Sequence, residues 1–113
     1  MDHPQPTTRF DLSDDYGHVS VLRHGGRIRV LFAGEIDHRL LDRFPQVVTA
    51  VREAREPVDV DCSEVSFFGA AGLRMLFELK HAAADKRLAT LATNDRVELV
   101  LQALDTSDLT LAY

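Results

Sequence analysis

Two places in the sequence bring together residue types that could do chemistry, and the first is a pair of acidic residues. Glu35 and Asp37 stand on alternate positions at the end of an apolar segment. Alternate positions of a strand face one side of a sheet, so the two carboxylates could act together in acid–base chemistry. No histidine, second base or metal ligand is spaced with them. Two interpretations stay open: a solvated strand end whose Asp37 caps the following turn, or part of a protein interface.

The second place is a turn of four small residues at positions 69–72, which reads Gly-Ala-Ala-Gly. Their side chains are a hydrogen or a methyl group, so the turn offers no nucleophile, acid, base, metal ligand or phosphoryl acceptor. We therefore expect it to bind rather than to react. The nearest hydroxyls belong to Ser63 and Ser66, and we expect Ser66, between two apolar residues, to be less exposed.

Three interpretations of this turn remain. It is a close-packed corner in which glycine serves backbone geometry, a partner-facing surface, or an anion site made by the N–H groups of a helix start. A single Gly-x-x-Gly without a flanking lysine is weak evidence for a nucleotide. The five histidines are scattered without ligand spacing, so the sequence predicts no metal site and no cofactor.

The elements around these places follow from apolar spacing. Residues 1–17 have too little periodic apolar content for a full element and are expected to be a flexible N-terminal arm, with the domain at 18–113. The alternation from His18 to Arg23, and again from Ile28 after Gly25-Gly26, predicts a hairpin with a glycine turn. Apolar residues spaced by three and four from Leu40 to Ala54 then predict a helix.

That first helix should begin near Asp42, a plausible N-cap, with Pro45 in its first turn, and Pro57 should end it. Further along, the sequence predicts a strand at Val58–Cys62 and a helix from Ala70 to about Ala84 with Leu73, Leu76, Phe77 and Ala83 on one face. It then predicts a strand at Leu88–Ala92, a helix capped by Thr93 or Asn94, and a last strand at Leu109–Leu111. Strands alternating with helices after a hairpin predict an α/β domain with a mixed sheet of about five strands and helices packed on it.

The two places together resemble the STAS domain of bacterial anti-sigma-factor antagonists. Members of that family carry a Gly-Glu-Leu-Asp-like tetrapeptide after the second strand, and here it is Gly34 to Asp37. They follow it with an Asp-apolar-Ser strand end, here Asp61 to Ser63, and with Phe-apolar-Asp-Ser-Ser-Gly-Leu opening a helix, here Phe67 to Leu73. The resemblance runs from about Val19 to Leu111 and implies a STAS-like fold.

The chain departs from this family at the residues that carry its switch. In the family the first serine of the turn is phosphorylated by a kinase that is also the anti-sigma factor, and phosphorylation releases that partner. Here that position is Ala70, the second serine is Ala71 and the preceding aspartate is Gly69. A phosphoryl group needs an oxygen, and its charge of about −1.5 to −2 is what reorders or repels a partner. The resemblance therefore implies an antagonist without the usual serine switch.

The resemblance implies a non-catalytic interaction domain that docks an anti-sigma factor or kinase-like protein. Carried over position by position, the partner-binding residues are Asp37, Gly69, Ala70, Ala71, Gly72, Leu73 and Arg74. An alternative of a different class is a structural adaptor, an accessory subunit of a stress-signalling scaffold or a transport complex. An enzyme or a nucleotide-binding domain has the least support, because the turn contains no reactive group.

Composition narrows the partners and the compartment. The 113 residues fit one domain, and a net charge of −5 with basic and acidic residues interspersed disfavours direct binding to nucleic acid. Cys62, the only cysteine, lies in an apolar strand and is expected to be buried and reduced. No apolar run reaches the ~20 residues of a membrane helix and no signal peptide is recognisable. We expect a bacterial cytoplasmic protein, and the sequence is compatible with a homo-oligomer.

Overall fold

The computed structural model describes residues 7–83 and 88–103, and the described part of the chain contains five strands and three α-helices. In chain order they are β1 (Thr7–Ser13), β2 (Gly17–His24), β3 (Arg27–Ile36), α1 (Pro45–Glu53), β4 (Val58–Phe68), α2 (Ala70–Ala82), β5 (Leu88–Ala92) and α3 (Asp95–Ala103). A short 3₁₀ helix at His38–Leu40 precedes α1. The predicted α/β class is confirmed.

The strands form one mixed sheet in the order β1-β2-β3-β4-β5. The first three strands are antiparallel, and the predicted hairpin is confirmed because Gly25 and Gly26 make its turn with φ values of 60° and 74°. The pairs β3/β4 and β4/β5 are parallel. Since parallel strands end at the same edge of a sheet, the last residue of β3, Ile36, pairs with the last residue of β4, Phe68.

The core lies between one face of the sheet and the helices. Alternate residues of the three central strands are fully or almost fully buried there: Val19, Val21, Val30, Phe32, Val60 and Cys62. Helix α1 adds Val47 and Val51, and α2 adds Met75, Leu76 and Leu79 to the same cluster. Burial raises the pKa of the Cys62 thiol to about 12, so this cysteine packs as a small apolar residue, as its strand position predicts.

The expected N-terminal arm is wrong for Thr7–Ser13, which forms strand β1 at the edge of the sheet. Its pairing with β2 is interrupted by a register shift between Thr8 and residue 10, which breaks the alternation that would reveal a strand in sequence. Leu12 enters the core at 3% exposure. This segment is a strand because it forms hydrogen bonds with β2. Its own amino-acid composition therefore does not predict a strand. Residues 1–6 lie outside the described residues.

The first helix begins later than predicted. Asp42 does not cap it; α1 begins at Pro45, with Phe44 at the N-cap position. The capping aspartate is instead Asp37, whose Oδ1 accepts the N–H of Arg39 at 2.9 Å and begins the 3₁₀ helix. The tight turns that follow bury Leu40 and Phe44. These two residues continued the apolar spacing, which is why the pattern placed the helix start too early. The prediction that Pro45 lies in the first turn is confirmed.

Strand β4 is longer than the predicted Val58–Cys62 because its pairing with β3 continues to Phe68. Two register shifts along this pair make Ser63 and Glu64 both exposed, which removes the alternation. Helix α2 ends at Ala82 rather than Ala84. Strand β5 has the predicted bounds, and Asn94 caps α3 by accepting the Val97 N–H at 3.0 Å. The strand predicted at Leu109–Leu111 lies outside the described residues.

Candidate partner-binding site

The two motifs singled out in the sequence meet at one edge of the sheet. The Gly69 N–H donates a hydrogen bond to the Ile36 carbonyl at 3.4 Å, which ties the turn before α2 to the end of β3. Asp37 follows Ile36 directly, so the tetrapeptide and the small-residue turn belong to one local surface. The parallel pairing of β3 and β4 explains this proximity across about thirty residues of sequence.

The turn itself divides into outward and inward residues. Ala70 and Arg74 are exposed, Gly69, Ala71 and Leu73 are half-buried, and Gly72 is buried. A Cβ at Gly72 would lie 2.6 Å from the ring of Phe68, which is itself 4% exposed. Gly72 is therefore a packing residue that lets the first turn of α2 approach β4 closely. The interpretation as a close-packed corner holds for Gly72, while Ala70 is on the outside.

No side chain caps the start of α2, because its N-cap residue is Gly69. The first N–H groups of an α-helix have no partner within the helix, and they carry the positive end of its dipole. Next to them stand the methyl groups of Ala70 and Ala71. This part of the surface thus presents backbone donors and small apolar groups.

Asp37 lies in a different environment. Besides capping the 3₁₀ helix, its carboxylate is held by the guanidinium of Arg39, whose Nε lies 3.0 Å from both Oδ1 and Oδ2. Hydrogen bonding from Arg39 lowers the pKa of Asp37 below its ordinary value. The cap interpretation of Asp37 is confirmed. Glu35 is also near this cation, with its Oε1 3.7 Å from Arg39 Nη2, so the two acids share one arginine.

Arg39 is the residue that sequence reasoning missed. Its guanidinium also covers the ring of Tyr16, with Cζ 3.9 Å from the ring centroid, and its Nε lies 3.9 Å from Asp14 Oδ2. Asp14 accepts the N–H groups of Tyr16 and Gly17, and these hydrogen bonds lower its pKa. The loop between β1 and β2 is thereby joined to the end of β3. We call Asp14, Tyr16, Glu35, Asp37 and Arg39 the arginine cluster.

The conformation of Gly34 explains how the loop between β1 and β2 comes so close to the end of β3. It has a φ of 77°, and a Cβ there would lie 2.4 Å from the carbonyl oxygen of Tyr16. The next N–H along the chain, that of Glu35, donates to this same oxygen at 2.9 Å. The glycine of the Gly34–Asp37 tetrapeptide was therefore the signal in the sequence that could have predicted this contact. It marks a position where another backbone segment passes too close for a side chain.

Two aromatic side chains at the arginine cluster are exposed, one a member of the cluster and one beside it. Tyr16 is 53% exposed, and Phe67 is 51% exposed and stands in β4 beside Glu35 of β3.

The serine hydroxyls nearest to the turn in the sequence differ from expectation, because Ser66 is exposed and not shielded by its apolar neighbours. The register shifts in β4 turn this residue outward. Ser63 is exposed as well, and its Oγ donates to Asp61 Oδ1 at 2.6 Å.

An open groove of about 670 Å³ runs from the turn between α1 and α2. Its lining is Val48, Arg52, Ala70, Leu73, Arg74, Phe77, Glu78 and His81. We predicted Phe77 on the same face as Leu76, but Leu76 is in the core and Phe77 is 37% exposed in the groove. Successive helical residues are about 100° apart, so Met75, Leu76 and Leu79 fill the core side and leave Phe77 beside Leu73. Three predicted site residues, Ala70, Leu73 and Arg74, thus line this groove.

Other kinds of site receive no support in residues 7–83 and 88–103. No three His, Cys, Asp or Glu side chains there come close enough to hold a metal ion. None of the helices within these ranges combines the length and the hydropathy that a membrane crossing requires.

Comparison with known proteins agrees with this fold. A mixed sheet with helices between its parallel strands defines an α/β domain, and the family model described as "Mlab, STAS domain" matches residues 19–111. The chain therefore belongs to the STAS domain family.

Among solved structures, the chain is similar to the crystal structure of an anti-sigma factor antagonist from Mycobacterium paratuberculosis. The TM-score is 0.70 at 22% sequence identity, over 85% of this chain and 84% of that chain. At this identity the similarity establishes a shared fold. The search of curated proteins found no significant match.

Proposed function

We propose that this STAS domain is a non-catalytic interaction domain that acts as an anti-sigma-factor antagonist, docking a kinase-like anti-sigma factor without a serine switch. The observation that carries the proposal is the exposure of Ala70 at the uncapped start of α2. The position that a phosphate would occupy in the family is accessible here, and its side chain is a methyl group. The domain would therefore behave as permanently dephosphorylated.

The proposed contact surface consists of the outward residues of the predicted set. Ala70, Ala71, Leu73 and Arg74 would touch the partner, while Gly69 and Gly72 shape the turn behind them. Asp37 would contribute through the shape of its capped turn, because Arg39 already pairs with its carboxylate. With no nucleophile or base in the turn, we assign the surface to binding and not to turnover.

A change of charge at Ala70 tests the proposal. Ala70→Glu places a carboxylate where the family carries phosphate, so we expect at least a tenfold loss of affinity for an anti-sigma factor from the same genome, measured by calorimetry. A negative charge at a helix start is locally favourable by about 0.3–1 kcal/mol, so thermal unfolding should not occur at a lower temperature. Ala70→Ser should keep the parent's affinity.

Leu99→Glu is the matched control, because Leu99 is exposed on α3 and lies outside the turn and the groove. Equal affinity of Ala70→Glu and the parent would contradict the proposal.

Incubation with the kinase and ATP should add no phosphate to the turn, as judged by intact mass and peptide mapping. A stoichiometric phosphate at Ser63 or Ser66, both exposed, would show that a switch exists elsewhere.

The adaptor function remains a second candidate, supported by the same absence of a hydroxyl at Ala70 and Ala71. An accessory subunit of a signalling or transport complex needs a stable surface and no switch. Capture of a transport ATPase or a multi-domain sensor by the parent, lost in Ala70→Glu, would favour this function over sigma-factor control.

A further inference from the structure

We infer that a pocket on the face of the sheet opposite the core binds the phosphate group of a small molecule. The pocket is lined by Leu22, His24, Arg27, Arg29 and Asp59 and has a volume of about 320 Å³, which falls within the range of about 300–1,000 Å³ for small-molecule sites. It lies beside the hairpin turn and the start of β4, whereas the proposed docking surface follows the end of β4. The inference therefore concerns a second site and does not depend on the proposed function.

Strand alternation brings the five side chains to one face of the sheet. In the antiparallel pair of β2 and β3, Leu22 lies opposite Arg29 and His24 lies opposite Arg27. Arg29 also pairs with Asp59 of the parallel strand β4. Adjacent positions of these strands belong to the buried core, namely Val21, Ile28, Val30, Val58 and Val60. The pocket residues therefore point away from the core.

The carboxylate in this pocket is already engaged. Arg27 binds both oxygens of Asp59, with its Nε 2.7 Å from Oδ2 and its Nη2 2.8 Å from Oδ1, and the Thr90 hydroxyl donates to the same Oδ1 at 2.8 Å. Hydrogen bonding from Arg27, and then from Thr90, lowers the pKa of Asp59. Asp59 thus balances the charge of Arg27 and fixes its guanidinium, whose Nη1 makes no hydrogen bond within the described residues.

Arg29 is the cation that this arrangement leaves for a ligand. Its side chain is exposed, and it makes no hydrogen bond or ion pair with the part of the chain that the structure describes. The next carboxylate on this face of β4, Asp61, does not line the pocket and accepts the N–H and the hydroxyl of Ser63. The pocket therefore has one net positive charge from Arg29, and a second when His24 is protonated, which favours an anion.

The number of available donors favours phosphate over carboxylate. A guanidinium carries five N–H donors in a planar fork that matches the oxygens of phosphate, and an imidazole supplies one or two more. Arg29, Nη1 of Arg27 and the ring of His24 offer donors from three side chains. A phosphate group has three terminal oxygens to accept from them, whereas a carboxylate has two. Leu22 adds apolar surface for the carbon atoms of a phosphate ester.

Two ligands that share a propyl group, propyl phosphate and butyrate, test the inference. Each is titrated into the full-length protein at constant ionic strength while the amide NMR signals of Leu22, His24 and Arg29 are followed. We expect propyl phosphate to shift these signals saturably and to bind at least tenfold more tightly than butyrate. Inorganic phosphate distinguishes the source of the group: affinity equal to that of propyl phosphate assigns the pocket to the free ion, and lower affinity assigns it to an ester.

Variants at two arginines show whether this pocket is responsible. Arg29→Gln should weaken the binding of propyl phosphate at least tenfold, and Arg29→Lys, which keeps the charge but not the planar fork, should give an intermediate affinity. Arg23→Gln is the matched control, because Arg23 belongs to the same strand end but pairs with Glu56 and does not line the pocket. It should keep the parent's affinity. Thermal melts show that each variant remains folded.

The inference is overturned if millimolar propyl phosphate leaves the pocket signals unchanged, if butyrate binds as tightly, or if Arg29→Gln binds like the parent. The proposed function is tested separately by the anti-sigma factor and Ala70→Glu. Loss of phosphate binding in Arg29→Gln together with unchanged, Ala70-dependent binding of the anti-sigma factor would show that the two sites are independent and would support both assignments.

Discussion

The arginine cluster and the small-residue turn are neighbours on one edge of the sheet, yet they are built in opposite ways. In the cluster, Arg39 lies within ion-pair distance of three carboxylates and covers the ring of Tyr16. In the turn, positions 69–72 offer only backbone groups and methyls. The first region holds three carboxylates around one guanidinium and so keeps an excess of negative charge, whereas the side chains of the second carry no charge. Under the proposed function, a partner would therefore recognise the turn by its shape and backbone groups, while the cluster holds the adjoining loop in place.

The two regions should respond to mutation in equally different ways, and the largest effect is expected at Gly72. Alanine is favoured over glycine within helices by about 1 kcal/mol, but the new Cβ would lie 2.6 Å from the ring of Phe68. This ring is buried in the core, so moving it aside would disturb the packing around it. We therefore expect Gly72→Ala to lower the free energy of unfolding by about 1–3 kcal/mol, measured by urea denaturation.

A double-mutant cycle shows whether the contact with Phe68 is the cause. In the Phe68→Leu background the six-membered ring is gone, so the additional loss caused by Gly72→Ala should be smaller. An equal loss in both backgrounds would mean that Gly72 is required for another reason and that the close-packed corner is wrongly described.

The arginine cluster should show a smaller effect that depends on pH. Since Arg39 lowers the pKa of Asp37 in the folded protein, the stabilisation is present above the ordinary aspartate pKa of about 3.9 and is lost as the pH falls through the lower folded value. Arg39→Met removes the main cause. The decrease in melting temperature from pH 6 to pH 3 should therefore be smaller in this variant than in the parent.

Part of the acid sensitivity should survive in Arg39→Met, because the pKa of Asp14 is lowered mainly by the N–H groups of Tyr16 and Gly17. Arg74→Met is the control: its pair with Glu78 is on the surface, with the Arg74 side chain 70% exposed, and such pairs contribute little to stability. An identical acid response in the parent and Arg39→Met would refute a structural role for the cluster.

The sequence predicted the parts of the molecule whose signals are local. The hairpin with Gly25-Gly26, the bounds of β5 and the Asn94 cap each depend on a few adjacent residues, and the structure confirms them. The motif resemblance also identified the STAS fold, which the family comparison confirms.

The parts that were missed depend on contacts between distant segments. Strand β1 exists because it pairs with β2, and β4 continues because β3 does. The arginine cluster joins a loop before β2 to the end of β3, so no pattern of residue spacing along the sequence predicts it. The groove forms only because α1 packs beside α2. In this arrangement Phe77 is exposed in the groove while Leu76 is buried in the core. The partner-binding role of positions 69–74 stays a prediction.

The smallest expected effect is a gain in stability at Gly69, and it tests whether the turn lacks charge for a functional reason. Gly69 has φ −94° and ψ −170°, an extended conformation open to any residue, and its Cβ would meet only the half-exposed ring of Phe67, at 3.2 Å. Gly69→Asp would add the missing N-cap, so we expect the free energy of unfolding to rise by a few tenths of a kcal/mol. Gly69→Asn supplies a similar cap without the charge and should match this gain, to which the aspartate adds a dipole interaction that salt weakens. If the aspartate variant is more stable than the parent yet binds the anti-sigma factor less tightly than the asparagine variant does, the uncharged turn serves recognition. Equal affinities of the two variants would instead show that charge at Gly69 is irrelevant to docking, and would limit the recognised surface to Ala70 and the residues that follow it.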